Sequence, residues 1–244
     1  MTACKHMSTP MDTNLKLGNS NDSAIVDKEM YQHLVGTWKI NLLVSHKARY
    51  CICCKLVHLH ATYRILQYLK ETPGRGILYK RNGNTSLEAY IDVDYVGSII
   101  DRRSTTGYCT FLGGNLVTWR SKKQNVARSS AESEFRGMTQ GICELLWLKI
   151  ILEDLKITWD GPMKLYCDNK SAINIAHNPV QHDRTKHIEV DRHFIKEKLD
   201  SGLICTPYVP SQRQLADILT KGLRCPDFER IICKLGMENI YSPA

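Results

Sequence analysis

The clearest feature of the hydrophobic pattern is a long amphipathic helix in the middle of the chain. From Ser129 onward, apolar residues recur every three or four positions, at Phe135, Met138, Ile142, Leu145, Leu146, Leu148, Ile151, Leu152 and Leu155. This spacing gathers the apolar side chains on one face of a helix. Ser129 and Glu132 also have the S-x-x-E spacing of a helix-capping box. The pattern therefore predicts a helix of roughly 25 residues that begins at Ser129.

Shorter patterns on both sides of this helix predict strands and further helices. TGYCTFLGGNLVTWRS predicts two strands joined at Gly113-Gly114, and ILYKR with SLEAYIDVDY predicts a hairpin across Asn82-Gly83-Asn84. MKLYCD and LICTPYVP predict two more strands. Helices are predicted in TYRILQYLK, NKSAINIAHN, IEVDRHFIKEKLD and RQLADILTKGL. Antiparallel strands followed by alternating helices and strands predict a mixed sheet with helices against it.

Composition narrows the class of protein. The 244 residues are 43% hydrophobic and 24% charged, which is typical of a globular chain, and the net charge of +8 suits a polyanionic partner. There is no long apolar run and no signal-peptide core, so we expect an intracellular protein of the cytoplasm or nucleus without a membrane partner. Among the ten cysteines, Cys109, Cys143, Cys167 and Cys205 lie in apolar segments and are predicted to be small buried side chains.

Two acidic residues interrupt a strand that otherwise belongs in a core. In AYIDVDY, alternation places Asp92 and Asp94 on one face and Ile91 and Val93 on the other. Aspartate is depleted in strands, so two on one face need a reason. One reason is a polar stripe that faces solvent, and the other is a functional site.

Three more carboxylates occur where elements begin or end. Glu134 in the long helix points toward its buried side, although acids also favour helix N-termini. Asp168 follows the strand MKLYCD, where either Asp168 or Asn169 would also serve as the N-cap of the next helix. Asp217 lies beside apolar residues in RQLADILTKGL. If four such carboxylates meet at one sheet edge they repel one another, and two Mg²⁺ ions would neutralise them, as in phosphodiester hydrolysis.

Several collinear motifs resemble one known family. IDVDYVGSIIDRRSTTGYCTFLGG, VTWRSKKQ, ARSSAESEF, LYCDNKSAI, TKHIEVDRHFIKEKL and QLADILTKGL resemble the ribonuclease H region of copia-type retrotransposon Pol polyproteins, over about residues 62 to 224. PMDTNLKLG and YQHLVG resemble the end of the reverse transcriptase region of the same polyproteins.

The resemblance implies a fold, a reaction and a set of site residues. The fold is an α/β ribonuclease H-like fold, a five-stranded mixed sheet flanked by helices, here with a poorly ordered N-terminal segment. The reaction is cleavage of the RNA strand of an RNA–DNA hybrid with two Mg²⁺ ions, for which Mn²⁺ is a substitute, and without a small-molecule cofactor. Matching the family's motifs assigns the catalytic and metal-binding carboxylates to Asp92, Glu134, Asp168 and Asp217, in preference to Asp94 and Glu132.

Basic residues near the same elements are candidates for contact with nucleic acid. Arg102, Arg103, Arg120, Lys122, Lys123 and Arg128 flank the sheet and the entry to the long helix, and Asn169 follows the candidate ligand Asp168. Lysine and arginine in such positions bind phosphates. An ordinary solvated surface is the alternative.

The chain divides into three predicted parts. Residues 1–76 are a degenerate, partly disordered reverse transcriptase remnant, residues 77–224 are the ribonuclease H-like domain, and residues 225–244 are a C-terminal helix and tail. Reverse transcriptase activity is not expected, because the Tyr-x-Asp-Asp motif of that activity is absent. Residues 37 to 60 do not resemble the connecting segment of the family, which favours the alternative function: an inactive retrotransposon remnant that keeps the fold and at most binds nucleic acid.

Overall fold

The computed structural model describes residues 8–13, 56–97, 102–125, 127, 129–178 and 189–241. In chain order its elements are α1 (Leu56–Glu71), β1 (Arg75–Ile77), β2 (Leu87–Asp94), β3 (Thr105–Leu112), β4 (Asn115–Lys123), α2 (Ser130–Asp154), β5 (Met163–Cys167), α3 (Lys170–His177), α4 (Glu189–Asp200), β6 (Ile204–Cys205), two 3-10 helices (Ser211–Arg213 and Leu215–Leu219), α5 (Cys225–Lys234) and β7 (Met237–Asn239).

The main sheet has five strands in the order β4-β3-β2-β5-β6. β2, β3 and β4 are antiparallel neighbours, whereas β5 runs parallel to β2 and β6 parallel to β5. This is the ribonuclease H-like arrangement that the resemblance implies, and the predicted fold class is confirmed. The parallel half matters most for function, because the carboxyl ends of β2 and β5 reach the same edge of the sheet.

One face of the sheet is covered by the long helix α2. Phe135, Met138 and Ile142 are fully buried against Ile91 and Leu165 in one apolar cluster. Close packing here depends on small residues in α2. A Cβ atom added at Gly141 would come within 2.8 Å of side-chain carbons of Leu165 and Ile91. The helix therefore lies close enough to β2 for its first turns to reach the end of that strand.

The other face of the sheet packs against α1, α5 and the second 3-10 helix. Tyr68 of α1 contacts Phe228 of α5 with ring centroids 5.6 Å apart, and both belong to a second apolar cluster with Phe111 and Leu116. β1 pairs with β7 in a separate two-stranded sheet. Both faces of the five-stranded sheet are thus covered, as expected for a sheet that contains parallel strands.

Three sequence predictions are wrong in detail. ILYKR and SLEAYIDVDY do not form a hairpin, since β1 pairs with the distant β7 while Lys80 and Asn82 hydrogen-bond around the β3–β4 turn. RQLADILTKGL forms 3-10 helices instead of an α-helix. Cys143 is exposed, because it falls on the outer side of α2. In the first two cases tertiary contacts overrode the local pattern, whereas the exposure of Cys143 follows from its position on the helix.

Two further predictions are only partly covered by the described residues. The poorly ordered N-terminal segment falls largely outside them, and the domain limits at residues 76 and 224 stay predictions. Within the described part of the chain, no helix combines the length and the apolar character needed to cross a membrane.

Candidate metal centre

Strand register brings two of the predicted carboxylates to one edge of the sheet. β2 and β5 are parallel neighbours in which Ile91 is paired with Cys167. Asp92 and Asp168 are the next residues along each strand. Asp92 is buried, with 2% of its surface exposed, whereas Asp168 is partly exposed and accepts a 2.8 Å hydrogen bond from Ser211 Oγ. Each carboxylate therefore lies just past the last paired residues of these two parallel strands.

The start of α2 supplies a third carboxylate. Ser129 Oγ accepts a hydrogen bond from Glu132 N and starts the helix. One turn later, Glu134 Oε1 accepts a 3.3 Å hydrogen bond from Val93 N, beside Asp92. Its other oxygen, Oε2, is buried and has no hydrogen-bond partner among the described residues. Ligand atoms of Glu134, Cys167 and Asp168 all lie within 4.8 Å of one another.

The second 3-10 helix brings the fourth carboxylate, Asp217. Gln214, the residue directly before this 3-10 helix, is fully buried and donates a 2.7 Å hydrogen bond from Nε2 to Ile91 O. Gly107 of β3, which pairs with Asp92 of β2, leaves room for the second 3-10 helix and the residues after it. A Cβ atom added at Gly107 would come within 2.8 Å of Thr220 and Leu219 atoms. Asp92, Glu134, Asp168 and Asp217 thus form one carboxylate cluster, drawn from four separate parts of the chain.

Two residues of the cluster were missed by the sequence reasoning. Lys221 Nζ lies 3.1 Å from Asp92 Oδ1 and 2.9 Å from Asp217 Oδ1. The hydroxyl of Thr220 donates to Asp92 Oδ2. Lys221 follows Asp217 at the i,i+4 spacing of helical ion pairs, a signal that was present in the sequence. The contact with Asp92, 129 positions away in the chain, had no local signal.

Burial makes full ionisation of the cluster costly. Desolvation, reinforced by the charges of Asp92 and Asp168, raises the pKa of Glu134 to about 9. Desolvation and the charge of Asp92 raise the pKa of Asp217 to about 7, although Lys221 opposes the shift.

The same burial acts on Asp92. Desolvation raises its pKa, and Lys221 and Thr220 only partly offset this. Burial alone would lower the pKa of Lys221, but attraction to Asp92 and Asp217 outweighs it and raises the value. The acids of this cluster therefore need more positive charge than Lys221 supplies if all of them are to be ionised.

The donor set fits a divalent cation. Carboxylate oxygens are the ligands that hard cations such as Mg²⁺ prefer. The buried Glu134 Oε2, for which the described residues supply no hydrogen-bond donor, is a group that needs a partner of this kind. Asp92, Glu134, Asp168 and Asp217 are the residues that would hold the ion or ions.

Glu134 should make the metal-free protein less stable as the pH rises. The pKa of this side chain is 4.5 in the unfolded chain and about 9 in the folded one, where burial raises it. Between these values the folded state binds a proton that the unfolded state does not, so stability falls with rising pH. Glu134→Gln should therefore stabilise the protein by about 1–3 kcal/mol at pH 8 in chelator. Urea unfolding at pH 5 and pH 8 measures this.

Glu132 provides the matched control on the same helical turn. Its carboxylate lies 2.7 Å from Arg136, so Glu132→Gln removes a favourable charge pair. We expect it to lower stability slightly, by no more than about 1 kcal/mol. A Glu134→Gln variant that is less stable than the parent at pH 8 would contradict the interpretation of Glu134 as an uncompensated buried acid.

The two alternative acids have other surroundings. Asp94 is partly exposed near the end of β2, and its carboxylate fills the space beside Gly97. Glu132 is paired with Arg136. The geometry therefore favours Asp92 and Glu134 as the members of the cluster.

The predicted basic residues lie partly at the same sheet edge. Lys122 and Lys123 of β4 pair with Thr106 and Thr105 of β3, and Thr105 in turn pairs with Asp94. Lys122 is exposed, and so is Arg120, two positions earlier in β4. Arg102 and Arg103, just before β3, are also exposed. Arg128 lies outside the described residues. Asn169 caps α3, because its side-chain oxygen accepts a hydrogen bond from Ala172 N.

Comparisons with known proteins identify relatives along nearly the whole chain. It is 36% identical over 249 aligned positions to the "Retrovirus-related Pol polyprotein from transposon RE1" of Arabidopsis thaliana, covering 98% of this chain and 17% of that protein. It is 31% identical to the corresponding polyprotein from transposon TNT 1-94 of Nicotiana tabacum, covering 96% and 18%. The chain thus spans less than a fifth of these relatives. The likeness also extends beyond residues 62–224, over which the quoted motifs run.

Comparisons with protein-family models and with solved structures say less about the relatives of this chain. No protein-family model matches the chain. Among solved structures, the N-terminal RNase H domain of a Mycobacterium tuberculosis protein is similar with a TM-score of 0.41 and 13% identity, covering 62% of this chain and 98% of that one.

Proposed function

Because the chain belongs with the retrovirus-related Pol polyproteins of transposons, as the counterpart of one segment of them, we propose that it is their ribonuclease H-type endonuclease. Its substrate would be an RNA–DNA hybrid, of which it hydrolyses the RNA strand. The observation that carries this proposal is the carboxylate cluster at the ends of β2 and β5, in which one buried oxygen of Glu134 has no partner within the described part of the chain.

Asp92, Glu134, Asp168 and Asp217 would bind two Mg²⁺ ions, with Mn²⁺ as a substitute. Bound ions of this kind activate the attacking water and stabilise the leaving oxygen of a phosphodiester. Oxygen ligands from four parts of the chain would fix the positions of such ions before the substrate arrives, which is the arrangement that in-line hydrolysis requires.

Neighbouring residues hold the carboxylates in place. Gln214 fixes the turn that carries Asp217 to the backbone of β2. The Ser211 hydroxyl donates to Asp168, and the Val93 amide donates to Glu134. The hydrogen bonds to Asp168 and Glu134 each use one carboxylate oxygen and leave the other oxygen for a cation.

The nucleic acid would lie across the edge where the carboxylates and basic residues meet. We propose that Arg102, Arg103, Lys122, Lys123 and Arg128 contact phosphates, and that Asn169 contacts the strand beside Asp168. Recognition of a hybrid depends on its shape and on the 2′-hydroxyl rather than on sequence. Phosphate contacts of this type weaken as salt increases.

We propose the same division of the chain that the sequence predicts. Residues 77–224 would carry the endonuclease, residues 1–76 a remnant of the reverse transcriptase region and residues 225–244 a C-terminal helix and tail. The buried contact between Tyr68 and Phe228 indicates that α1 and α5 support the sheet from behind. No small-molecule cofactor is required, and we propose an intracellular site of action.

The proposal is tested by cleavage of an end-labelled RNA strand annealed to DNA. We expect fragments with Mg²⁺ or Mn²⁺, none with chelator, and none from RNA duplex or from the DNA strand. The folded state of the sample is verified by circular dichroism. A folded protein that leaves the RNA intact with either ion is the inactive remnant, and the proposed endonuclease is then wrong.

A further inference from the structure

We propose that the ammonium group of Lys221 is a built-in counter-ion of the carboxylate cluster, which a divalent cation must displace. Lys221 then sets the metal affinity of the site. This inference rests on the proposed function, because it takes Asp92 and Asp217 as metal ligands.

The contacts of Lys221 carry the first step. Its Nζ lies 3.1 Å from Asp92 Oδ1 and 2.9 Å from Asp217 Oδ1. One ammonium group therefore bridges two acids that belong to different elements. The side chains of Asp92 and Asp217 are 2% and 13% exposed, so water screens this arrangement little.

The second step is that the ammonium and a bridging cation compete for the same oxygens. A Mg²⁺ ion requires ligand oxygens at about 2.1 Å in octahedral geometry. It cannot approach Asp92 Oδ1 and Asp217 Oδ1 from the side on which Nζ lies without strong like-charge repulsion. Binding by both oxygens on that side therefore requires the ammonium to move.

The third step is that Lys221 can leave. Its side chain is 38% exposed, unlike the acids it bridges. Rotation of this side chain would carry the ammonium into solvent, while Gln214 keeps its separate hydrogen bond to Ile91 O. The hydrogen bond from Thr220 still holds Asp92 when the ammonium has gone.

The test is metal binding in the absence of nucleic acid. Lys221→Gln removes the charge but keeps a donor for the carboxylates, and Lys221→Met removes both. We expect the Mg²⁺ dissociation constant, measured by isothermal titration calorimetry, to fall by about tenfold or more in both neutral variants. In chelator, the same variants should unfold at lower temperature than the parent, because the acids have lost their counter-ion.

Two controls isolate the effect. Lys221→Arg retains a cation at this position, so its Mg²⁺ affinity should stay near that of the parent. Lys234→Met removes an exposed lysine of α5 and should leave the affinity unchanged, which excludes an effect of net charge.

Two results would overturn the inference. If the parent binds Mg²⁺ and Lys221→Gln binds it equally or more weakly, Lys221 is not a competitor, and the proposed metal centre stands without it. If neither the parent nor the neutral variants bind Mg²⁺ or Mn²⁺, the metal centre itself is wrong and the inference is overturned with it.

Discussion

Replacing Asp92 with asparagine is expected to reduce Mg²⁺-dependent cleavage of the RNA strand by about a thousandfold or more. A metal ligand contributes several kcal/mol to stabilisation of the transition state, and each 1.4 kcal/mol is about a tenfold change in rate. Asp92 is central in the carboxylate cluster, since Lys221, Thr220 and the charge of Asp168 act on it and its own charge acts on Glu134 and Asp217. The measurement is the single-turnover cleavage rate at saturating Mg²⁺.

Asp94 gives a matched control two positions along the same strand. It faces the same side of β2 but is partly exposed. Asp94→Asn should leave the cleavage rate within a few-fold of the parent, as is usual for a change outside a reaction centre. Equal losses in both variants would contradict the assignment of Asp92, and a larger loss in Asp94→Asn would move the site along the strand.

Replacing Phe135 with alanine is expected to lower the free energy of unfolding by about 3–5 kcal/mol. The ring is fully buried in the cluster between α2 and the sheet. Truncation leaves a cavity that neighbours such as Ile91 and Leu165 cannot fill without moving the strands that carry Asp92 and Asp168. Because Phe135 adjoins Glu134 in α2, the cleavage rate should also decrease. The free energy of unfolding is measured by chemical unfolding followed by circular dichroism.

Trp147 on the same helix is the control for this change. Its side chain is 52% exposed on the outer side of α2. Trp147→Ala should change stability by less than about 1 kcal/mol. A loss at Trp147 as large as that at Phe135 would mean that the outer face of α2 is buried in the folded protein, contrary to the described packing.

The helix α2 shows which structural features the local sequence alone predicts. Its start at Ser129 and its buried face follow from the capping pattern and the apolar spacing, and the structure has both. The turn at Gly113-Gly114 is also local, because both residues adopt positive φ angles that glycine tolerates. These features need no information from elsewhere in the chain.

The carboxylate cluster was located by a combination of local pattern and resemblance. An acid at the end of a strand is visible in the sequence at Asp92 and at Asp168. That the two lie beside each other depends on the parallel pairing of β2 with β5, which local periodicity cannot reveal.

The sequence alone determined the long helix, the strand-forming segments and the acids at their ends, because capping, periodicity and turn chemistry act over a few residues. Only the tertiary structure decided that β1 pairs with β7, that RQLADILTKGL forms 3-10 helices, and that Lys221 bridges Asp92 and Asp217. Each of these depends on contacts between residues far apart in the chain. Such contacts form when the whole apolar surface is buried, and no short segment encodes them by itself.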